Sequence, residues 1–326
     1  MSHSHLTERL RAAILGAALG DALGVPVEFQ SRAAVQRNPV TSMRAFGTHD
    51  QPAGTWSDDT SMMLCLTQAL TETGGAGEWW RRAADLFRAW YDEALWTPHG
   101  EVFDIGVTTA GALRRYGSVA DPREAGATDQ HSNGNGSLMR TMPVALFWHH
   151  GSFADLAQAA SVASRLTHAH PRSVGACVVY CAMVRALLAG EGKEAAWDRA
   201  RADGLAWIEQ HCPGEDTHFR PRLERSLAQW LALPESHIGS GGYVMHTLEA
   251  ALWCFLTTGG YAECVLRAVN LGEDTDTTGT VAGGLAGAFY GEGGLPADWL
   301  AVLARRAEIE SLIEDFADKI LRGPVA

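Results

Sequence analysis

Helical periodicity constrains this chain more than any other feature. Between residues 6 and 23, Leu10, Ala13, Ile14, Ala17 and Ala18 recur on one face of a 3.6-residue repeat, and Met62, Cys65, Leu66, Ala69 and Leu70 do so later. The stretch SVGACVVYCAMVRALLAG is apolar nearly all round, as a helix buried among other helices must be. TLEAALWCFLTTGGYAECVLRAVNLG reads as a helix, a Gly-Gly break and a second helix. No series of alternating strands occurs, and no strand feeds a glycine-rich turn. That argues against a parallel dinucleotide-binding sheet, and the expected fold class is all-α.

A chain of 326 residues can bury a substantial core as one large domain or two ordinary ones. The longest polar, glycine-rich interval, PREAGATDQHSNGNGS, reads as a functional loop inside one domain rather than a boundary. A formal net charge of −12 with no basic run argues against nucleic acid or an anionic membrane as partner. The N-terminal MSHSHLTERLRAA holds no apolar signal core, and no apolar run is expected to span a bilayer, so a cytoplasmic protein is expected. Six cysteines, none in a CxxC pair, fit a reduced core; for Cys177 and Cys181 packing is a better reading than zinc.

Against this apolar background the acids stand out. LGEDTDTTG sets Glu273, Asp274 and Asp276 within four positions of one another and then enters TVAGGLAGAFYG. One acid would satisfy a helix N-terminus. Three repel one another unless they face water or share a hard cation such as Mg²⁺, Ca²⁺ or Mn²⁺. GTWSDDTSMM repeats the arrangement with Ser57, Asp58, Asp59 and Thr60, so two helix mouths could form two halves of one metal site. Simple capping by Ser57, with Asp58 and Asp59 favoured by the dipole, remains open for either cluster alone.

Asp21 falls on the apolar stripe of the first helix and needs partners, which suits a supporting carboxylate. Glu28 follows a Gly-Val-Pro turn, and its local sequence favours the surface over a position beside metal. In HSNGNGSLMRTMP, Gly134 and Gly136 leave backbone N–H groups unobstructed ahead of a helical stretch. That arrangement can cradle phosphate, although Asn-Gly pairs also form plain turns. RLTHAHPRS puts His168 and His170 between two helices, as a connection or as ligand contacts; with no HExxH or Cys/His quartet, zinc is weakly supported.

The ordered set GAALGDALGVPVEF, GTWSDDTSM, FDIG, NGNGSLMRTMP, LTHAHP, GGYVMHTLEAALWCF and GEDTDTTGTVAGGLAGAFYG resembles the ADP-ribosylglycohydrolase family, from about residue 8 to residue 291. The resemblance implies a compact single-domain orthogonal helical bundle over residues 1–326, with a di-metal cleft and C-terminal helices over 296–322. It implies two Mg²⁺ or Mn²⁺ ions and hydrolysis of the bond between ADP-ribose and a modified side chain of a partner protein, with ADP-ribose as product. Ser57, Asp58, Asp59, Asp274, Asp276 and Thr277 match the family's metal ligands, and Glu28, Asp59 and Asp274 its catalytic acids. Ser132, Asn133, Gly134, Asn135, Gly136 and Ser137 match the phosphate loop, and His168 the histidine near the distal ribose. Asp104 matches a carboxylate beside a modified arginine, and Tyr243 is a candidate to stack on adenine.

Ser57 stands where the family usually has threonine and keeps the hydroxyl, while Glu273 stands where a small residue is common, as a supporting acid or a solvent-facing one. The resemblance tilts the linkage toward ADP-ribosyl-arginine, because Asp104 complements a guanidinium. A serine or other O-linkage is the alternative within the class. A non-catalytic ADP-ribose binding module and a two-metal phosphohydrolase are the alternatives outside it. A monomer is expected.

Overall fold

The computed structural model describes residues 3–322; residues 1–2 and 323–326 of the expected span lie outside the described residues. The chain is a succession of helices: α1 (His3–Gly24), α2 (Arg32–Arg37), α3 (Asp58–Thr73), α4 (Trp79–Glu93), α5 (Val107–Arg115) and α6 (Met142–Phe147). There follow α7 (Phe153–Arg165), α8 (Pro171–Leu188), α9 (Lys193–His211), α10 (Asp216–Leu223), α11 (Leu227–Ala232) and α12 (Val244–Thr257). The series ends with α13 (Tyr261–Val269), α14 (Thr275–Tyr290), α15 (Ala297–Val302) and α16 (Arg306–Arg322). Among the described residues the only β pairing consists of isolated bridges, Phe46 with Gln51, Ala127 with His168 and Gly134 with Tyr243. The fold is all-α.

The stripe read on α1 is buried, and the helix meets α14 through a row of small residues, Ala12, Gly16, Gly20 and Gly24. A Cβ on Gly20 would lie 2.1 Å from the Gly279 carbonyl oxygen, one on Gly283 2.3 Å from that of Gly16, and one on Gly287 2.0 Å from that of Ala12. The two helices therefore run antiparallel with their backbones in contact, which only glycine allows at those positions. The seam fixes the C-terminal end of α1 against the N-terminal end of α14. A Cβ on Gly24 would sit 2.3 Å from Asp276 Cα.

Around this pair the buried apolar residues form one contiguous cluster from Leu6 to Ala317. The apolar α8 is buried along nearly its whole length, and α12 and α13 are separated by Gly259 and Gly260. All six cysteines are buried and unpaired. One expectation is corrected: His5–Val27 and Pro171–Leu188 are long and apolar enough to cross a bilayer. Both are buried inside the protein, packed on other helices of the same chain, which explains their composition without a membrane.

Candidate functional site

Capping and burial together build the acid cluster. Ser57 is the N-cap of α3; its hydroxyl accepts from the Asp59 N–H at 3.3 Å and donates to Asp59 Oδ2 at 3.1 Å. Asp21, fully buried on α1, accepts from the backbone N–H groups of Ser57 at 2.9 Å and Thr60 at 3.0 Å, and from the Thr60 hydroxyl at 2.6 Å. It thus ties the mouth of α3 to α1, the supporting role expected of it. Burial pushes its carboxyl up to about 6 despite these bonds. On α14, Asp274 precedes the first turn and Asp276 lies within it. The Thr277 hydroxyl donates to Asp59 Oδ2 at 3.3 Å, joining the two helix mouths.

Two carboxylate sets converge there. Asp21, Asp59 and Asp276 each bring one oxygen to within 4.8 Å of the others, and so do Glu28, Asp274 and Asp276, so Asp276 belongs to both sets. Asp58 is buried and lines the adjoining cleft but belongs to neither set, whereas Asp21, expected only as a support, belongs to one. Asp59 Oδ1, Asp274 Oδ1 and Asp276 Oδ2 are out of contact with solvent and accept no hydrogen bond. Burial, and then repulsion from the neighbouring acids, drives the carboxyls of Asp58, Asp59 and Asp276 well above the usual range. Orphaned buried anions of this kind are costly. An all-oxygen donor set with hydroxyls from Ser57 and Thr277 at its edge fits hard divalent cations.

Glu28 is a correction to its local sequence, which favoured the surface: it is buried. The Phe29 N–H donates to the Glu273 carbonyl at 2.7 Å and the Glu273 N–H to the Gln30 carbonyl at 2.7 Å, so residues 28–30 are zipped onto the segment leading into α14. Glu273 itself is exposed, the solvent-facing option. Burial raises the Glu28 carboxyl to about 7, and its hydrogen bond with the His49 ring raises the imidazole. His49, Glu28 and Asp104 form a third convergent group. Nothing in the sequence around His49 marked it. Its loop packs closely because Gly47, at φ +81°, comes so near the Pro26 carbonyl that a Cβ would lie 2.0 Å from it.

The cleft beside these acids has a volume of about 340 Å³. The acid side contributes Glu28, Asp58, Asp104, Asp274 and Thr277, and the opposite wall Gly134, Asn135, Gly136 and His168. Asn135 links the walls: its Nδ2 donates to Asp274 Oδ2 at 2.9 Å and to the Thr247 hydroxyl at 2.8 Å. The rest of the expected phosphate loop does not line the cleft. The Ser132 hydroxyl donates to Asp129, Asn133 Oδ1 accepts from Ser173, and Ser137 is buried against Ser164 and Cys177. Nor does a helix begin at the glycines, because turns occupy 136–140 before α6 starts at Met142. Tyr243 sits behind the loop, partly buried, with the Arg172 guanidinium 5.8 Å from its ring centre.

His168 is buried and neutral, its imidazole pushed down to about 3 by burial. The fully buried Arg140 holds the partner of His168 Nδ1. Arg140 donates to the Gly136 carbonyl at 2.7 Å and to Thr167 Oγ1 at 2.7 Å, and Thr167 Oγ1 lies 2.7 Å from His168 Nδ1. Arginine only donates, so Thr167 Oγ1 accepts from it and keeps its own proton to give to Nδ1, an arrangement compatible with a His168 proton on Nε2 beside Gly134 and Gly136. Thr109 adds a buried hydroxyl with no partner at the same cleft. Arg140, Thr167 and Thr109 escaped sequence reading because the first two act through others and the third lies in no polar cluster.

Comparisons with known proteins agree on one relationship. The family model for ADP-ribosylglycohydrolase matches residues 2–324. ADP-ribosylarginine hydrolase Tri1 of Pseudomonas putida (strain GB-1) is 32% identical over 317 residues, covering 96% of this chain and 78% of that protein. ADP-ribosyl-(dinitrogen reductase) glycohydrolase of Rhodospirillum rubrum is 33% identical over 315 residues, 95% of each. The fold superposes with a TM-score of 0.80 and 34% identity on a solved ADP-ribosylglycohydrolase-related protein complex, covering 97% of this chain and 99% of that one.

Proposed function

Because the chain belongs to the ADP-ribosylglycohydrolase family, we propose that it hydrolyses the bond between ADP-ribose and an arginine side chain of a modified protein, with two Mg²⁺ or Mn²⁺ ions held by the buried acids. The observation that carries this reading is the trio of orphaned carboxylate oxygens on Asp59, Asp274 and Asp276, residues of two convergent sets that share Asp276 at two helix mouths beside the cleft. Asp21, Asp59 and Asp276 would hold one ion, and Glu28, Asp274 and Asp276 the other, with Ser57, Asp58 and Thr277 completing the donor set. Ions bound there supply positive charge that orients ribose hydroxyls and makes a water more acidic. One relative's name, ADP-ribosylarginine hydrolase, supports the arginine linkage, and another, ADP-ribosyl-(dinitrogen reductase) glycohydrolase, supports a modified protein as substrate.

The chain's own residues then divide the work. Gly134 and Gly136 offer open backbone to the diphosphate, and the His168 Nε2–H donates to an oxygen of the distal ribose. Glu28, buried beside the cleft, receives on a carboxylate oxygen the proton of the water that attacks C1″, while the electron pair of the breaking C1″–N bond goes to the side-chain nitrogen. The departing guanidine takes up that proton and leaves as the guanidinium, which Asp104, grouped with Glu28, faces. The test is release of free ADP-ribose from arginine-modified and serine-modified peptides in Mg²⁺, Mn²⁺ or EDTA, followed by mass spectrometry. Expected is metal-dependent release from the arginine peptide, abolished in Asp276→Ala; bound but uncleaved ADP-ribosyl peptide would show a binding module instead.

A further inference from the structure

Five large hydrophobic side chains are strongly exposed among the described residues, and three of them, Phe29, Phe46 and Val107, lie on segments that meet at the cleft. Phe29 and Val107 line its mouth, 66% and 87% exposed. Phe46 heads the loop that carries His49, whose ring lies 5.9 Å from that of Phe29 and 5.3 Å from that of Phe103. Two of the three also have costly backbones: Phe29 at φ +61° and Phe46 at φ +64° are in the left-handed region that disfavours bulky side chains. Their rings add nothing to the core in exchange. The Phe29 backbone is nonetheless pinned, its N–H bonded to the Glu273 carbonyl, so the ring is held out over the cleft edge.

The position of this rim relative to the acids says what it meets. In the proposed reaction ADP-ribose extends from the acids along the Gly134–Gly136 and His168 wall, so the modified side chain and the polypeptide beyond it leave past Glu28, Asp104 and Phe29. We propose that Phe29, Phe46 and Val107 form a docking rim for the protein substrate that selects apolar residues beside the modified arginine. The inference rests on the reading of function above and extends it to the polypeptide. Apolar side chains of the substrate cover the exposed rings, and a flanking acid is disfavoured because its charge would lose water against them.

Three substrates separate the possibilities: free ADP-ribosyl-arginine, which has no flanking residues, an ADP-ribosylated peptide with Leu on both sides of the arginine, and the same peptide with Asp there. Expected is a kcat/KM for the Leu peptide about tenfold or more above that for the Asp peptide, the factor given by about 1.4 kcal/mol of differential binding. The ratio of Leu peptide to free ADP-ribosyl-arginine should fall by a similar factor in Phe29→Asn, Phe46→Asn and Val107→Ser, asparagine being chosen because it tolerates the left-handed backbone. Equal rates on the two peptides, with free ADP-ribosyl-arginine cleaved, would overturn the docking rim and leave the reaction standing. Cleavage of none of the three would overturn the function and the rim with it. Sedimentation as a dimer that Phe29→Asn dissociates would also overturn it, by assigning the rim to a second copy.

Discussion

Replacing Gly20 with alanine tests how the helix seam builds the site. The new Cβ would lie 2.1 Å from the Gly279 oxygen, 2.4 Å from the Gly279 carbonyl carbon and 3.0 Å from the Thr280 nitrogen. All three are backbone atoms, so no rotamer relieves the clash. A carbon rests on a carbonyl oxygen at roughly 3.3–3.6 Å, so α1 and α14 must part by roughly 1 Å. Overpacking costs about 1–3 kcal/mol, and this case belongs at the upper end. Alanine recovers about 1 kcal/mol over glycine in a helix. The net loss, about 2 kcal/mol, lowers the melting temperature by roughly 3 °C, given an unfolding entropy of about 2.1 cal/mol/K per residue over 326 residues. The larger consequence is at the acids. Glu28 follows α1 while Asp274 and Asp276 belong to the mouth of α14, and metal–ligand distances tolerate only about 0.2 Å. Mn²⁺ affinity, read by calorimetric titration, should therefore fall at least tenfold. Gly284→Ala is the control: its Cβ meets Met142 Cε at 2.4 Å and Tyr180 Oη at 2.5 Å, both at the ends of side chains. It should lose stability and keep Mn²⁺ affinity. Wild-type Mn²⁺ affinity in Gly20→Ala would refute the claim that backbone contact sets the site geometry.

Two further outcomes follow from the titrating groups. In EDTA-treated protein the carboxyls of Asp21 and Glu28, at about 6 and 7, lie above their unfolded values near 4, so the folded chain binds more protons in between. The stability tied to that protonation is fully present below about pH 4 and lost as pH rises through 6 and 7; the melting-temperature gain from saturating Mn²⁺ over EDTA should therefore increase from pH 5 to 7.5, and a flat difference would argue against cations among these acids. Thr167→Val removes the hydroxyl between Arg140 and His168 Nδ1. Loss of one buried partner costs about 1–3 kcal/mol; ADP-ribose should bind roughly tenfold or more weakly by calorimetry, Thr167→Ser should retain binding, and unchanged affinity in the valine variant would show that the hydroxyl does not position His168 for the ligand.

What could be read from sequence divides along a physical line. Asp58, Asp59, Asp274 and Asp276 were legible because acids at the start of an apolar helix violate the local pattern, and the violation survives whatever the rest of the chain does. The all-α fold was legible for the same reason, since the 3.6-residue repeat is a local signal. Glu28 was not: a turn at Gly-Val-Pro is equally compatible with surface or interior, and its burial is decided by backbone bonds to Glu273, which is distant in sequence. His49 depends in the same way on a glycine that lets one loop press against Pro26. The two apolar helices that could pass for membrane spans show the converse limit, because hydropathy records that a segment avoids water without recording whether lipid or protein replaces it. Asp21 unites the two cases. Its place on the buried stripe announced a need for partners, and the partners turned out to be the mouth of α3 and, through Asp59 and Asp276, the carboxylate set itself. A buried acid read as support is thus also a candidate ligand, because the backbone N–H groups that anchor it leave it within reach of the same convergent oxygens.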